Sequence, residues 1–166
     1  SRVGGADSRR VALVFNNITE RKLAEEQLRR ANFRFRLAEE AAKGFNYEWD
    51  LDTGLVTRSE GIERVLGYRR DEVAMTWQAW ADLMHPDDRT VQSEAAAAAF
   101  ARSLTDDGFG SEYRVRHKDG HDVWMLERAV LIRDERGGVR RVVGQTVDIT
   151  ERKHLEAERE RLLAEE

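Results

Sequence analysis

The stretch Val139-Arg140-Arg141-Val142-Val143-Gly144-Gln145-Thr146-Val147-Asp148-Ile149-Thr150-Glu151-Arg152-Lys153 decides how this chain folds. It is a β-like apolar run that passes directly into a helix start. Asp148 stands three residues before Glu151, the spacing at which an N-cap side chain and a carboxylate at the third helical position satisfy free amides reciprocally. The same ending occurs earlier, where Arg10-Val11…Asn17-Ile18-Thr19-Glu20-Arg21-Lys22 differs in its last six residues only by asparagine for aspartate. A repeat of this kind marks tandem units. Four segments are therefore expected: 1–19, the last strand and helix start of a preceding unit; 20–43, a connecting helix; 44–150, one whole unit; and 151–166, an output helix.

Within the whole unit, Phe45–Leu51 alternates apolar and polar with period two, a half-buried strand. Asp52-Thr53-Gly54 turns it into a second strand, Leu55–Arg58. Helical pieces follow over Ser59–Leu66 and through Met84, and His85-Pro86-Asp87-Asp88 opens a helix to about Leu104, with proline and acids suited to its positive end. Gly110–His117 and Val123–Arg133 are joined by Lys118-Asp119-Gly120, a strong hairpin signal, and Glu135-Arg136-Gly137-Gly138 leads into Val139–Ile149. Two strands, helices, then three strands predict an α+β unit with a five-stranded antiparallel sheet, helices on one face, and flanking N- and C-terminal helices.

The connecting helix carries a seam. Ala24, Leu28, Ala31, Phe35, Ala38 and Ala42 are spaced alternately four and three apart, with Glu25→Arg29 and Glu26→Arg30 pairs beside them. Such a helix either packs on its own domain or joins two copies in a parallel coiled coil; the heptad spacing favours the second. After Thr150 the seam thins, because Arg159 interrupts Leu155 and Leu162.

Composition narrows the function. Of 166 residues, 36% are charged, above the roughly 25% of an average domain, and the excess lies largely in the two flanking helices. A net charge of −4 argues against nucleic acid, which needs clustered positive charge. No apolar run reaches a membrane-spanning length of about 18 residues, and a cytoplasmic setting is expected. The chain has no cysteine, which removes disulfides, thiolate metal sites and cysteine nucleophiles. Ser93, Ser103 and Ser111 lack a recognisable activating base, and no phosphate-cradling loop is present, so no catalytic residue and no enzyme activity are expected within these residues.

Residues 35–153 resemble a PAS domain, of the subgroup (PAS fold-3, PAS–PAC) whose helical connection carries His-Pro-Asp-Asp. The matching pieces are Trp49-Asp50-Leu51-Asp52-Thr53-Gly54, Leu66-Gly67-Tyr68, His85-Pro86-Asp87-Asp88-Arg89, Glu112-Tyr113-Arg114, Lys118-Asp119-Gly120, Trp124 and Asp148-Ile149-Thr150-Glu151-Arg152-Lys153. The resemblance implies a sensory or dimerisation module of a bacterial multidomain signalling protein. It implies adjacent PAS and histidine kinase domains, with a nucleotide cyclase as the other output and a ligand-free spacer as the other role. Asp148, Ile149, Thr150, Glu151 and Arg152 would relay the signal to the output helix. A homodimer through the N-terminal helix and sheet face follows from the seam and the resemblance together.

The resemblance also implies a pocket between the sheet and the helices. Thr146 falls where light-sensing relatives carry glutamine, and Gln145 lies on the opposite face. A cysteinyl-flavin adduct is excluded. No cofactor is required, although a non-covalent flavin or another small molecule stays open. Residues 87–104 lack the axial histidine of haem-binding relatives. No metal site is expected: His85, His117 and His121 read as helix-start and turn residues, and His154 lacks the surroundings of a phosphoacceptor. With Thr146 facing the pocket, Gly144, Tyr113, Val115, Met125, Glu127, Ala129, Phe45, Tyr47 and Trp49 face it too, and the aromatics are bulky enough to fill it. Glu127 is discordant, since a lone buried carboxylate is costly. Either Arg58 or Arg64 pairs with it, or it marks a polar or cationic ligand. The outward row Trp124, Leu126, Arg128, Val130 and Ile132 then requires cover.

Overall fold

The computed structural model describes residues 7–101 and 108–165, without the side chains of 7–14 and 16. The chain divides into two compact units, one ending at Ala38 and the other starting at Glu39. The first is helical. Helix α1, Asp7–Ala41, runs unbroken where a strand over 10–16 and an Asn17 cap were expected. A strand needs neighbours to receive its backbone hydrogen bonds; here the same residues satisfy them internally, and Thr19 Oγ donates back to the Phe15 carbonyl. The expected Glu26–Arg30 pair forms, whereas Glu25 pairs with Arg21 rather than Arg29. The seam side chains from Ala24 to Ala38 are exposed and Ala42 is half-buried; Leu28 is 62% and Phe35 51% exposed. Among the described residues no helix is long and apolar enough to cross a membrane.

The second unit is built on five antiparallel strands in the order β2-β1-β5-β4-β3. They are β1 (Gly44–Asp50), β2 (Val56–Arg58), β3 (Gly108–Arg116), β4 (Asp122–Arg133) and β5 (Val139–Asp148). Between β2 and β3 lie α2 (Gly61–Leu66), a 3-10 turn (Arg70–Glu72), α3 (Trp77–Leu83) and α4 (Pro86–Ala101); α5 (Thr150–Ala164) follows β5. The expected end of α4 near Leu104 lies outside the described residues. Gly44 does not end α1 by adopting a left-handed conformation; Lys43 does, at φ 52°. Gly44 is needed for a different reason, since a Cβ there would lie 2.6 Å from the Thr146 carbonyl oxygen across the sheet.

Strand alternation buries one face of the sheet under the helices. Phe45, Ile62, Leu66, Val73, Trp80, Met84, Tyr113, Val115, Val123 and Met125 form the main cluster. Ala99, Ala129, Leu131 and Val142 form a second, flanked by Trp49 and Phe100. Each fully buried aliphatic side chain contributes about 1.5–3 kcal/mol. On the other face Val130, Ile132 and Val143 remain exposed.

The His-Pro-Asp-Asp segment does more than start a helix. The His85 amide donates to the Arg114 carbonyl at 2.9 Å. The Asp88 carboxylate accepts from the Arg114 amide at 2.8 Å and from its guanidinium twice at 2.9 Å. That bidentate fork fastens α4 to β3. The hydrogen bonds from Arg114 hold Asp88 below the usual carboxylate range. Its contribution is therefore complete above the ordinary aspartate value and disappears as the pH falls through the depressed one. Asp88→Asn should lower the unfolding free energy by about 1–3 kcal/mol near neutral pH, and urea melts of the two forms should converge as the pH falls below the depressed Asp88 value.

Candidate functional site

The helices and the sheet enclose a small cavity lined by Phe45, Tyr47, Trp49, Val56, Arg58, Trp77, Trp80, Glu127 and Thr146. Sheet register assembles its floor: Thr146 pairs with Phe45 on one side and Glu127 on the other. Its walls are aromatic. Trp49 stacks on Trp77 at 5.5 Å and 7°, and Phe45 meets Trp80 edge-on at 5.7 Å. The enclosed volume is about 20 Å³. That is room for roughly one water, against about 300–1,000 Å³ in ordinary small-molecule sites.

Glu127, 4% exposed, is the buried acid at the floor. Neither Arg58 nor Arg64 pairs with it, contrary to the expectation from sequence. The Tyr47 hydroxyl donates to its carboxylate, and the Tyr113 hydroxyl supports it as well. Hydroxyls satisfy the oxygens without burying a second charge. Tyr47 reaches Glu127 because its cross-strand partner is Gly144; a Cβ there would lie 2.5 Å from the Tyr47 ring. Burial pushes Glu127 up, opposed by the two tyrosines, and pushes both tyrosine hydroxyls well above their usual value. Arg58 instead lies over the Trp80 ring at 5.3 Å and donates to the Ala74 and Thr76 carbonyls at 3.2 and 3.4 Å. Burial lowers its guanidinium to about 10, so it remains charged at neutral pH. Among the described residues no carboxylate forms an ion pair with it.

Of the residues expected to face a pocket, Phe45, Tyr47, Trp49, Glu127 and Thr146 line the cavity. Tyr113, Val115 and Met125 are buried in the main cluster, Ala129 in the second, and Gly144 beneath Tyr47.

A second feature lies at the end of the same two strands. Asp148 Oδ1 accepts from the Thr150 amide at 2.8 Å, two residues on, whereas Ile149 is the N-cap of α5 and makes no side-chain cap hydrogen bond, so the expected cap from Asp148 does not form. The reciprocal bond is missing too: the Asp148 amide is taken by the Lys43 carbonyl at 3.0 Å, and Glu151 faces Lys43 at 3.7 Å. Ile149 donates to the Trp124 carbonyl at 2.8 Å, while Thr150 Oγ accepts from the Trp124 amide at 3.0 Å. Trp124 is flanked by Arg114 and Lys153, at 5.2 and 5.1 Å from its ring. Glu112 on β3 pairs with both Arg152 and Lys153. The first turn of α5 is thus clamped to β3 and β4.

Residues 55–146 match the family model of the PAS fold. This chain belongs to the PAS family. The PAS chain is 32% identical over 149 residues to the two-component sensor PprA of Pseudomonas aeruginosa, covering 88% of this chain and 15% of that protein. It is 34% identical over 111 residues to the sensor protein FixL of Bradyrhizobium diazoefficiens, covering 65% and 21%. Among solved structures, a sensory box histidine kinase/response regulator from Burkholderia thailandensis superposes with a TM-score of 0.62 at 30% identity, covering 79% of this chain and 98% of the other. The N-terminal domain of a diguanylate cyclase with PAS/PAC sensor from Marinobacter aquaeolei gives 0.59 at 25% identity, covering 67% and 99%. The chain spans a fifth or so, or less, of the curated relatives it matches.

Sequence reading did not single out Val56, Trp77 and Trp80 as lining the PAS cavity, and it gave Arg58 a different role. Trp77 and Trp80, three apart on α3, carry a helical-spacing signal that could have found them. Glu39 had no such signal. It lies 2% exposed and accepts hydrogen bonds from Asn46 and from Ser59 Oγ, the latter at 2.5 Å, tying the end of α1 to the sheet.

Because burial raises the Glu127 carboxyl, the folded state holds that proton more tightly than the unfolded one, and stability falls as pH rises above the ordinary glutamate value. Glu127→Gln keeps an acceptor for Tyr47 and removes the titration. Between pH of about 5 and 8 the wild type should therefore lose melting temperature relative to Glu127→Gln. Parallel curves would show that Glu127 does not titrate in the fold.

Proposed function

We propose that this PAS domain is a sensory and dimerisation module that relays events at its cavity through Asp148, Ile149, Thr150, Glu151 and Arg152 to α5. The observation that carries this reading is the β4–β5 register. Glu127 pairs with Thr146 at the cavity floor, and the next inward row pairs Met125 with Asp148 at the root of α5. A displaced floor has two residues of strand to travel. Such a relay acts only if a ligand or contact binds one state better than the other. In the longer protein the output is a sensor histidine kinase; relatives described as a two-component sensor and a sensor protein support that output. Two copies join through the seam Ala24, Leu28, Ala31, Phe35, Ala38 and Ala42.

The small cavity favours a second reading, a spacer that dimerises without a ligand. A ligand larger than water must first move Trp77 or Trp80. Native mass spectrometry of protein purified without refolding separates the two. The sensory reading expects a bound small molecule that is lost in Trp80→Ala; bare protein, with no compound in a metabolite panel raising the melting temperature, leaves the spacer. Light scattering tests the seam: the chain should be a dimer, and Leu28→Glu with Phe35→Glu a monomer. A wild-type monomer at every concentration removes the dimerisation claim.

A further inference from the structure

Away from the cavity, the described residues bring one group of metal-ligating side chains together, at the turn between β3 and β4. His117, Asp119 and His121 alternate through this turn, and a donor atom from each lies within 4.8 Å of the others. The imidazole rings stack with centroids 4.5 Å apart and planes 20° from parallel. The Asp119 carboxylate lies between them, 3.1 Å from His117 Nδ1 and against His121 Nδ1. The sequence reading treated both histidines as flanks of a turn, and separately neither asks for more.

The turn is held from behind. The Lys118 amide donates to the Leu66 carbonyl at 2.9 Å, and the Tyr68 hydroxyl to the Arg116 carbonyl at 3.1 Å. The His117 ring rests over Gly67, where a Cβ would approach within 3.0 Å. The only ammonium in the turn, Lys118 Nζ, is drawn aside to Glu72 at 2.7 and 2.9 Å. The backbone is thus fixed before any ion arrives, and the nearby cation is occupied elsewhere.

We infer that His117, Asp119 and His121 bind a divalent late transition metal such as zinc. Two imidazoles and a carboxylate are donors that suit zinc, copper or nickel, and three protein ligands leave a position for water. In a tetrahedral zinc site with bonds of about 2.0–2.1 Å, neighbouring donors stand roughly 3.3 Å apart, so side-chain rotation alone closes the present spacing. Magnesium and calcium require more oxygen donors than the turn offers. A metal at His117 Nδ1 displaces the Asp119 amide, which now donates to it at 3.1 Å; on an exposed turn, water replaces that acceptor. The inference is independent of the cavity.

The test is calorimetric titration of the untagged, chelator-treated chain with zinc chloride, paired with cobalt absorbance. One zinc per chain with micromolar affinity is expected, unaffected by millimolar magnesium. His121→Ala and Asp119→Asn alter exposed side chains and should each weaken binding by more than the roughly tenfold that loss of an outer-shell partner costs. His154→Ala should leave it unchanged. No saturable binding up to millimolar zinc, or equal affinity in His121→Ala, overturns the site.

Discussion

The pairing of β4 with β5 is the constraint on which the rest of this structure depends. Side chains alternate along a strand, so slipping the register by one residue would move Glu127 and Thr146 out of the interior and expose Met125 and Ala129. With the observed pairing, one strand pair carries both the floor of the cavity and the root of α5. The hydroxyls of Tyr47 and Tyr113 stabilise the buried acid there, and Gly144 is the vacancy in side-chain volume that lets Tyr47 reach it. Ordinary packing, one buried carboxylate and one glycine account for the geometry.

The same strands connect distant pieces of chain by polar contacts. Asp88 at the head of α4 grips Arg114, Arg114 and Lys153 both lie over the Trp124 ring, and Glu112 holds Lys153 and Arg152. Glu112 and Arg152 are exposed, so the ion pair between them is worth only about 0.2–1 kcal/mol. Weak contacts of this kind suit a joint that has to shift between two packings. Glu39 makes the opposite kind of joint, buried and multiply bonded, at the end of α1.

Much of this was legible in the sequence. Alternation in Phe45–Leu51, the Lys118-Asp119-Gly120 hairpin signal and the repeated Ile-Thr-Glu-Arg-Lys ending locate the sheet and its exit, because they are local patterns with local causes. The face assignment of β4 followed from alternation, and it flagged Glu127 as a residue needing partners. Those partners could not be read. Tyr47 and Tyr113 come from two other strands, and they meet Glu127 only through register and the absence of a Cβ at Gly144. Run 10–16 misled for the converse reason: its apolar pattern suits a strand, but a strand's hydrogen bonds depend on neighbours the pattern does not specify. The Asp148–Glu151 spacing located the start of α5 but not its capping box: the helix begins one residue later, at an Ile149 N-cap, and the Lys43 carbonyl takes the Asp148 amide.

The central claim, that the cavity floor and the root of α5 move together, is tested most directly by amide hydrogen exchange in Gly144→Ala. The added Cβ displaces Tyr47 at the floor without touching the joint. The control is Ile62→Val, a core change on α2 that costs about 0.5–1.5 kcal/mol. Coupling predicts that Gly144→Ala speeds exchange at the Ile149 and Lys153 amides, which donate to Trp124 and Ile149, by more than Ile62→Val does at matched stability. Faster exchange confined to β1 and α3, with those two amides unchanged from the control, would contradict it.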